Sequence, residues 1–202
     1  MKYWISLVTT MEVDQFVDIA RCAEEVGFEG ITVPDHLVIP TRVTTAYPYT
    51  PDGSMWWPTE TPWPDPWVTL AAMGAATSRI KLASNIYLAA LRDPFTAARA
   101  IGTAAVLTGD RIVCGVAAGW MKEEFDLVGI DFTTKRLARA ESLLQLASDA
   151  LDGALGLAEV LAQISPAPVL GVRVGNRAVG LGGDADRDRD DRGAAHALQR
   201  VG

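Results

Sequence analysis

The run from Arg79 to Phe125 constrains the fold of this 202-residue chain more than any other stretch, because it holds a strand, a helix and a second strand in immediate succession. Ile80-Lys81-Leu82-Ala83-Ser84-Asn85-Ile86-Tyr87 alternates apolar and mixed side chains, the pattern of a strand. Asp93-Pro94 then supplies an N-cap and a first-turn proline for a helix expected over Phe95 to Leu107, and Gly109-Asp110 ends it. Arg111 to Ala117 is apolar almost throughout, as a parallel strand covered on both faces should be. It runs into Ala118-Gly119-Trp120-Met121-Lys122-Glu123-Glu124-Phe125. Small residues there leave backbone N–H groups open to a ligand, and an acidic first turn opens the next helix.

The same alternation precedes this stretch. Tyr3 to Val8 reads as a first strand, and Thr9-Thr10 offers a cap for a helix that sets Val13, Phe16, Val17, Ala20, Ala23 and Val26 on one face. Gly27 stops that helix, and Gly30 to Pro34 forms a short second strand ending in Asp35-His36. Asp65-Pro66 caps another helix, Trp67 to Ala76. Four strands, each followed by a helical segment, within about 130 residues match half of a (β/α)8 barrel. The competing architecture is a doubly wound open sheet, but its Gly-x-Gly-x-x-Gly turn is missing after the first strand.

Between Leu37 and Pro64 the chain makes a long excursion rich in proline, with Tyr47, Tyr49, Trp56, Trp57 and Trp63. A loop of this length is a lid or binding loop, or else a rigid rim packed on the barrel. Beyond Phe132 there is no further aromatic residue. Leu137 to Leu161 has helical character and Val169 to Val174 that of one strand. The Gly/Asp/Arg-rich run after Gly180 reads as a solvated, disordered tail. Residues 1–132 and 133–202 therefore read as two regions, a half barrel and an atypical C-terminal segment.

A formal net charge of -7 argues against a nucleic-acid partner, and no apolar run is long enough to span a membrane. Cys22 and Cys114 have neither disulfide nor metal-ligand spacing. They are expected to be buried, reduced thiols in a cytoplasmic protein, and the N-terminus does not read as a signal peptide.

In a parallel barrel, reactive groups gather at the carboxyl ends of the strands, which here carry Thr9, Thr10, Asp35, His36, Asn85, Tyr87, Gly119 and Trp120. His36 is placed as a general acid or base beside a carboxylate, unless it is a hydrogen-bonded structural histidine. No cluster of ligands completes a metal site around it, although Asp35 and His36 could serve a metal-dependent hydrolase.

Val33-Pro34-Asp35-His36-Leu37, Thr61 to Trp67, Leu82 to Tyr87 with Leu91-Arg92-Asp93-Pro94, and above all Gly115 to Phe125 resemble the luciferase-like monooxygenases. The likeness is greatest to the branch that uses the deazaflavin coenzyme F420. It covers residues 1 to about 132 in order and spacing. It implies a (β/α)8 barrel whose mouth holds coenzyme F420 or FMN against a small organic substrate. His36 then moves a proton. Asp35, Asn85, Ile86, Ala118 and Gly119 bind the cofactor, and Asn85-Ile86 is a β-bulge with a non-prolyl cis peptide behind the ring. Trp120 and Trp57 are placed to cover the substrate, though core packing also accounts for a lone tryptophan.

The C-terminal third departs from the family pattern near Thr133 to Arg139, as a truncated or frame-shifted relative would. Exposed strand edges in a half barrel favour a homodimer. The alternative to an oxidoreductase is an inactive half barrel acting as a dimerising or binding scaffold.

Overall fold

The computed structural model describes residues 2–7, 12–134, 138, 139 and 142, together with the backbone of 159–163 and 170–172. Six strands lie side by side in sequence order: β1 (Trp4–Ser6), β2 (Gly30–Val33), β3 (Lys81–Leu88), β4 (Ile112–Ala117), β5 (Glu159–Gln163) and β6 (Leu170–Val172). The pairs from β1 to β5 are parallel, and β6 runs antiparallel to β5. Helices α1 (Phe16–Glu25), α2 (Pro66–Ala75) and α3 (Pro94–Thr108) make the crossovers between the first four strands, and α4 (Lys122–Leu127) follows β4. This is the opening run of a (β/α)8 barrel, an α/β fold.

Local chemistry explains the elements. Asp65 accepts hydrogen bonds from the Trp67 and Val68 N–H groups at the start of α2, and Asp93 accepts one from Thr96 N–H at the start of α3. Each is followed by a first-turn proline, which has no N–H to satisfy. Gly109 ends α3 at φ 62°, in the left-handed conformation that glycine adopts without cost. Two residues later the Arg111 guanidinium donates to the carbonyls of Gly74, Thr77, Ile80 and Thr108, satisfying the exposed C-terminal ends of α2 and α3 together. A Cβ on Gly74 would run into the Thr108 side chain, so α2 and α3 touch only because that position has none.

Several expectations fail here. On α1, Phe16, Ala20 and Ala23 are buried, but Val13 and Val26 are exposed. Val13 lies in a 3-10 turn (Val13–Gln15) whose different pitch rotates it off the α-helical face, and Val26 follows the last helical residue. Thr9 and Thr10 lie outside the described residues; the helical segment starts after Glu12, with no side-chain cap. Cys22 is exposed on α1, whereas Cys114 in β4 is buried and its thiol is pushed up to about 12 by burial. Glu159 to Leu161 belongs to β5 rather than to a helix, because pairing with β4 captures it. The strand expected over Val169 to Val174 is present as β6, and the tail beyond it lies outside the described residues.

Candidate active site

At the carboxyl end of β3 the ladder breaks. Ser84 pairs with Cys114 and Tyr87 with Val116, so Asn85 and Ile86 together face Gly115. This is a β-bulge, and the Asn85–Ile86 peptide is cis. The Ser84 hydroxyl donates to the Gly115 carbonyl (2.9 Å) and accepts from the Gly115 N–H (3.0 Å), keeping both groups satisfied across the break. The bulge swings Ile86 into a cavity of about 280 Å³ at the strand ends, shared with Asp35, His36, Ala117, Ala118 and Gly119. Gly119 sits at φ 88°, and a Cβ there would stand 2.9 Å from the Phe125 ring. That turn is therefore reserved for glycine.

The long loop closes the other side with six aromatic rings in all, counting Trp120 from beyond β4. They pack edge to face: Trp63 lies 4.4 Å from the His36 ring, Tyr47 lies 4.9 Å from Trp57 and 5.2 Å from Trp120. Glu123 fastens the loop. Its carboxylate accepts from the N–H and hydroxyl groups of both Thr44 and Thr45, at 2.7 to 3.0 Å. Partial burial alone would raise the Glu123 carboxyl, but these donors outweigh it and hold the group down at about 2.

Glu124, the next residue, points the other way. It is fully buried, with Oε2 2.9 Å from His36 Nδ1 and Oε1 accepting from the N–H groups of Leu37 (2.9 Å) and Val38 (3.2 Å). Two backbone donors converge on Oε1, and wherever the carboxylate is in its acceptor-only form its bond to His36 puts the imidazole proton on Nδ1. The other ring nitrogen, Nε2, makes no hydrogen bond among the described residues and remains to take or give a proton.

Asp35 is held differently. Its carboxylate accepts from the Leu88 N–H (2.8 Å) and from Arg92 Nη2 (2.6 Å), and Arg92 also donates to the Leu88 carbonyl. Burial pushes the Asp35 carboxyl above its ordinary range while Arg92 pulls against it. Asp35 thus lines the cavity with its acceptor oxygens committed to bracing the end of β3 against that of β2.

The eight residues to which the family resemblance gives a site role, Asp35, His36, Trp57, Asn85, Ile86, Ala118, Gly119 and Trp120, all border this one cavity. Tyr87 does not. It is buried against Trp67 and beneath Arg92, and burial pushes its phenol up to about 12. The sequence reading missed Glu123, Glu124 and Arg92. Glu123 and Glu124 were legible only as an acidic helix start, although a histidine at a strand end calls for a carboxylate partner. No group of three or more His, Cys, Asp or Glu among the described residues is arranged to hold a metal ion, and no described helix is long and apolar enough to cross a membrane.

Residues 4–165 match the family model of the luciferase-like monooxygenases. The chain belongs to this family. Among its relatives, an uncharacterized protein of Mycobacterium tuberculosis is 38% identical over 124 residues, 61% of this chain and 44% of that protein. An F420-dependent glucose-6-phosphate dehydrogenase of Nakamurella multipartita is 32% identical over 114 residues, 56% of this chain and 29% of that one. The oxygenating constituent of 3,6-diketocamphane monooxygenase from a Pseudomonas putida plasmid, solved in complex with FMN, shares the fold at a TM-score of 0.54 with 18% identity. The match covers 72% of this chain and 38% of that one. The luciferase-like chain thus spans less than half the length of the curated relatives it matches.

Proposed function

We propose that this chain carries the ring-binding half of a flavin- or deazaflavin-dependent oxidoreductase, with coenzyme F420 preferred over FMN and His36 as the proton-moving group. The observation that supports it most is the His36–Glu124 pair set in the wall of a cavity with an aromatic loop on one side and the Asn85–Ile86 bulge on the other. F420 is in the name of one relative, and FMN is bound in a structure of the same fold; these two ligands are therefore the ones to test.

The residues fit a flat ring. Ligand pockets usually enclose about 300–1,000 Å³, so 280 Å³ accommodates one fused-ring system and not a whole phosphorylated cofactor. Ile86 offers an apolar wall, and Ala117, Ala118 and Gly119 keep the facing backbone free of bulk. Among the described residues, no lysine or arginine borders the cavity. When bound, a flavin-type ring supplies hydride transfer.

The chain's own residues do the rest. Glu124 fixes the orientation and tautomer of His36, so that Nε2 holds or releases the proton exchanged at the cavity. Asp35 and Arg92 hold the bulge in register with His36. Glu123 keeps the aromatic loop down over the cavity, where it excludes water. Titration of the purified protein with reduced F420 and with FMN should show saturable binding to at least one. Failure with both removes the reading. His36→Ala should abolish turnover, whereas in a non-catalytic scaffold it would change nothing.

A further inference from the structure

We propose that Tyr87, which does not border the cavity, is a positioning residue for it: its ring holds the Arg92 guanidinium where that group clamps Asp35 into the cavity wall, so that cofactor affinity depends on Tyr87. The proposal rests on the preceding reading of the cavity as a cofactor site.

The contacts form a closed circuit. Arg92 Nη2 donates to Asp35 Oδ1 at 2.6 Å, Arg92 Nη1 donates to the Leu88 carbonyl at 3.2 Å, and the Leu88 N–H returns to Asp35 Oδ2 at 2.8 Å. Asp35 borders the cavity, so the circuit fixes one of its walls. Nothing in the circuit itself fixes Arg92, a long side chain that gives up rotamer freedom when it is held. Tyr87 supplies the support. The Arg92 guanidinium lies over the Tyr87 ring, 4.6 Å from its centroid, and a planar guanidinium stacked on a ring keeps its in-plane N–H groups for acceptors.

The ring is itself immobilised. Successive strand side chains point to opposite faces, so with Ile86 in the cavity Tyr87 faces α2, where the Trp67 ring meets it edge to face at 5.0 Å. Only 3% of Tyr87 is exposed. Contacts therefore run from α2 through Trp67, Tyr87 and Arg92 to Asp35. The aromatic face does the positioning, so phenylalanine can replace the tyrosine in this role and leucine cannot.

The test is a double-mutant cycle of Tyr87→Leu and Arg92→Met, with Tyr87→Phe alongside, read by titration with FMN and with F420. Tyr87→Leu should weaken binding about 3- to 10-fold, the loss expected of a partly buried cation–π contact. In the Arg92→Met background the same substitution should change affinity no further, and Tyr87→Phe should bind as the parent does. An equal loss in both backgrounds, which general loosening of the core would give, overturns the proposal. So does parent affinity in Tyr87→Leu, or a Tyr87→Phe variant as weak as Tyr87→Leu. Should Arg92→Met not fold, the Arg92 side chain is read directly by NMR. Its Nη resonances should be separate in the parent and merge in Tyr87→Leu, and an identical pattern in both refutes the role. Amide exchange at Leu88, whose N–H is held by Asp35, follows the same cycle without ligand. Faster exchange in Tyr87→Leu only where Arg92 is present, with no binding of FMN or F420 by the parent, keeps the clamp and removes the cofactor reading. Saturable binding that is indifferent to Tyr87→Leu does the reverse.

Discussion

Replacing Glu124 tests whether it sets the state of His36, and two substitutions separate the effects. Glu124→Ala leaves the N–H groups of Leu37 and Val38 and His36 Nδ1 without their acceptor in a fully buried place. A stranded buried polar group costs about 1–3 kcal/mol, and losses sharing one site do not add fully, so a destabilisation of about 3–5 kcal/mol is expected. Glu124→Gln keeps an acceptor oxygen for the two backbone donors but turns an amide N–H toward Nδ1. It should cost about 1–2 kcal/mol and move the imidazole proton from Nδ1 to Nε2. Urea denaturation measures the first quantity. The second is read from the ring-nitrogen resonances of protein labelled with ¹⁵N-histidine, which contains only His36 and His196. An alanine variant as stable as the parent, or a glutamine variant with the proton still on Nδ1, would refute the reasoning.

Three further outcomes follow from the same contacts. Glu123→Ala should release the Thr44–Thr45 segment, seen as faster amide exchange at both residues with little change at α2; unchanged exchange would mean the loop is held elsewhere. Glu24 is likewise held down at about 2: slight burial would raise it, but Ser78, Arg79 and Ile80 N–H groups outweigh that. Both carboxyls lie below their ordinary 4.5 when folded, so their stabilisation is complete above pH 4.5 and fades as pH falls toward 2, and a denaturation midpoint flat across that window would contradict it. Gly119→Ala meets the Phe125 ring at a left-handed φ and should lower the melting temperature and weaken ligand binding together, a loss of about 1–3 kcal/mol in stability.

Local signals carried most of the fold. Asp65-Pro66 and Asp93-Pro94 announce helix starts through side-chain acceptors for N–H groups two or three residues on, and Gly109 announces an end through its own backbone freedom. The strand ends then placed Asp35, His36, Asn85 and Gly119 near one another, since a parallel sheet in sequential order brings those ends to one face. Glu124 was beyond such reasoning. Its partner lies 88 residues away, and neither periodicity nor capping shows that adjacent glutamates diverge, one to the loop and one to the histidine. The same blindness to long-range pairing hid Arg92 behind Asp35, and let β5 pass for helix where pairing with β4 overrides local preference. Val26 shows the opposite fault: helical spacing extends a buried face one residue past the point where the helix stops.

The central claim is that His36 faces a ring-binding cavity. Adding FMN or F420 to the ¹⁵N-histidine-labelled protein should shift the His36 ring resonances along a saturable curve and leave those of His196 in place. Saturation with ligand and no movement at His36 would contradict it.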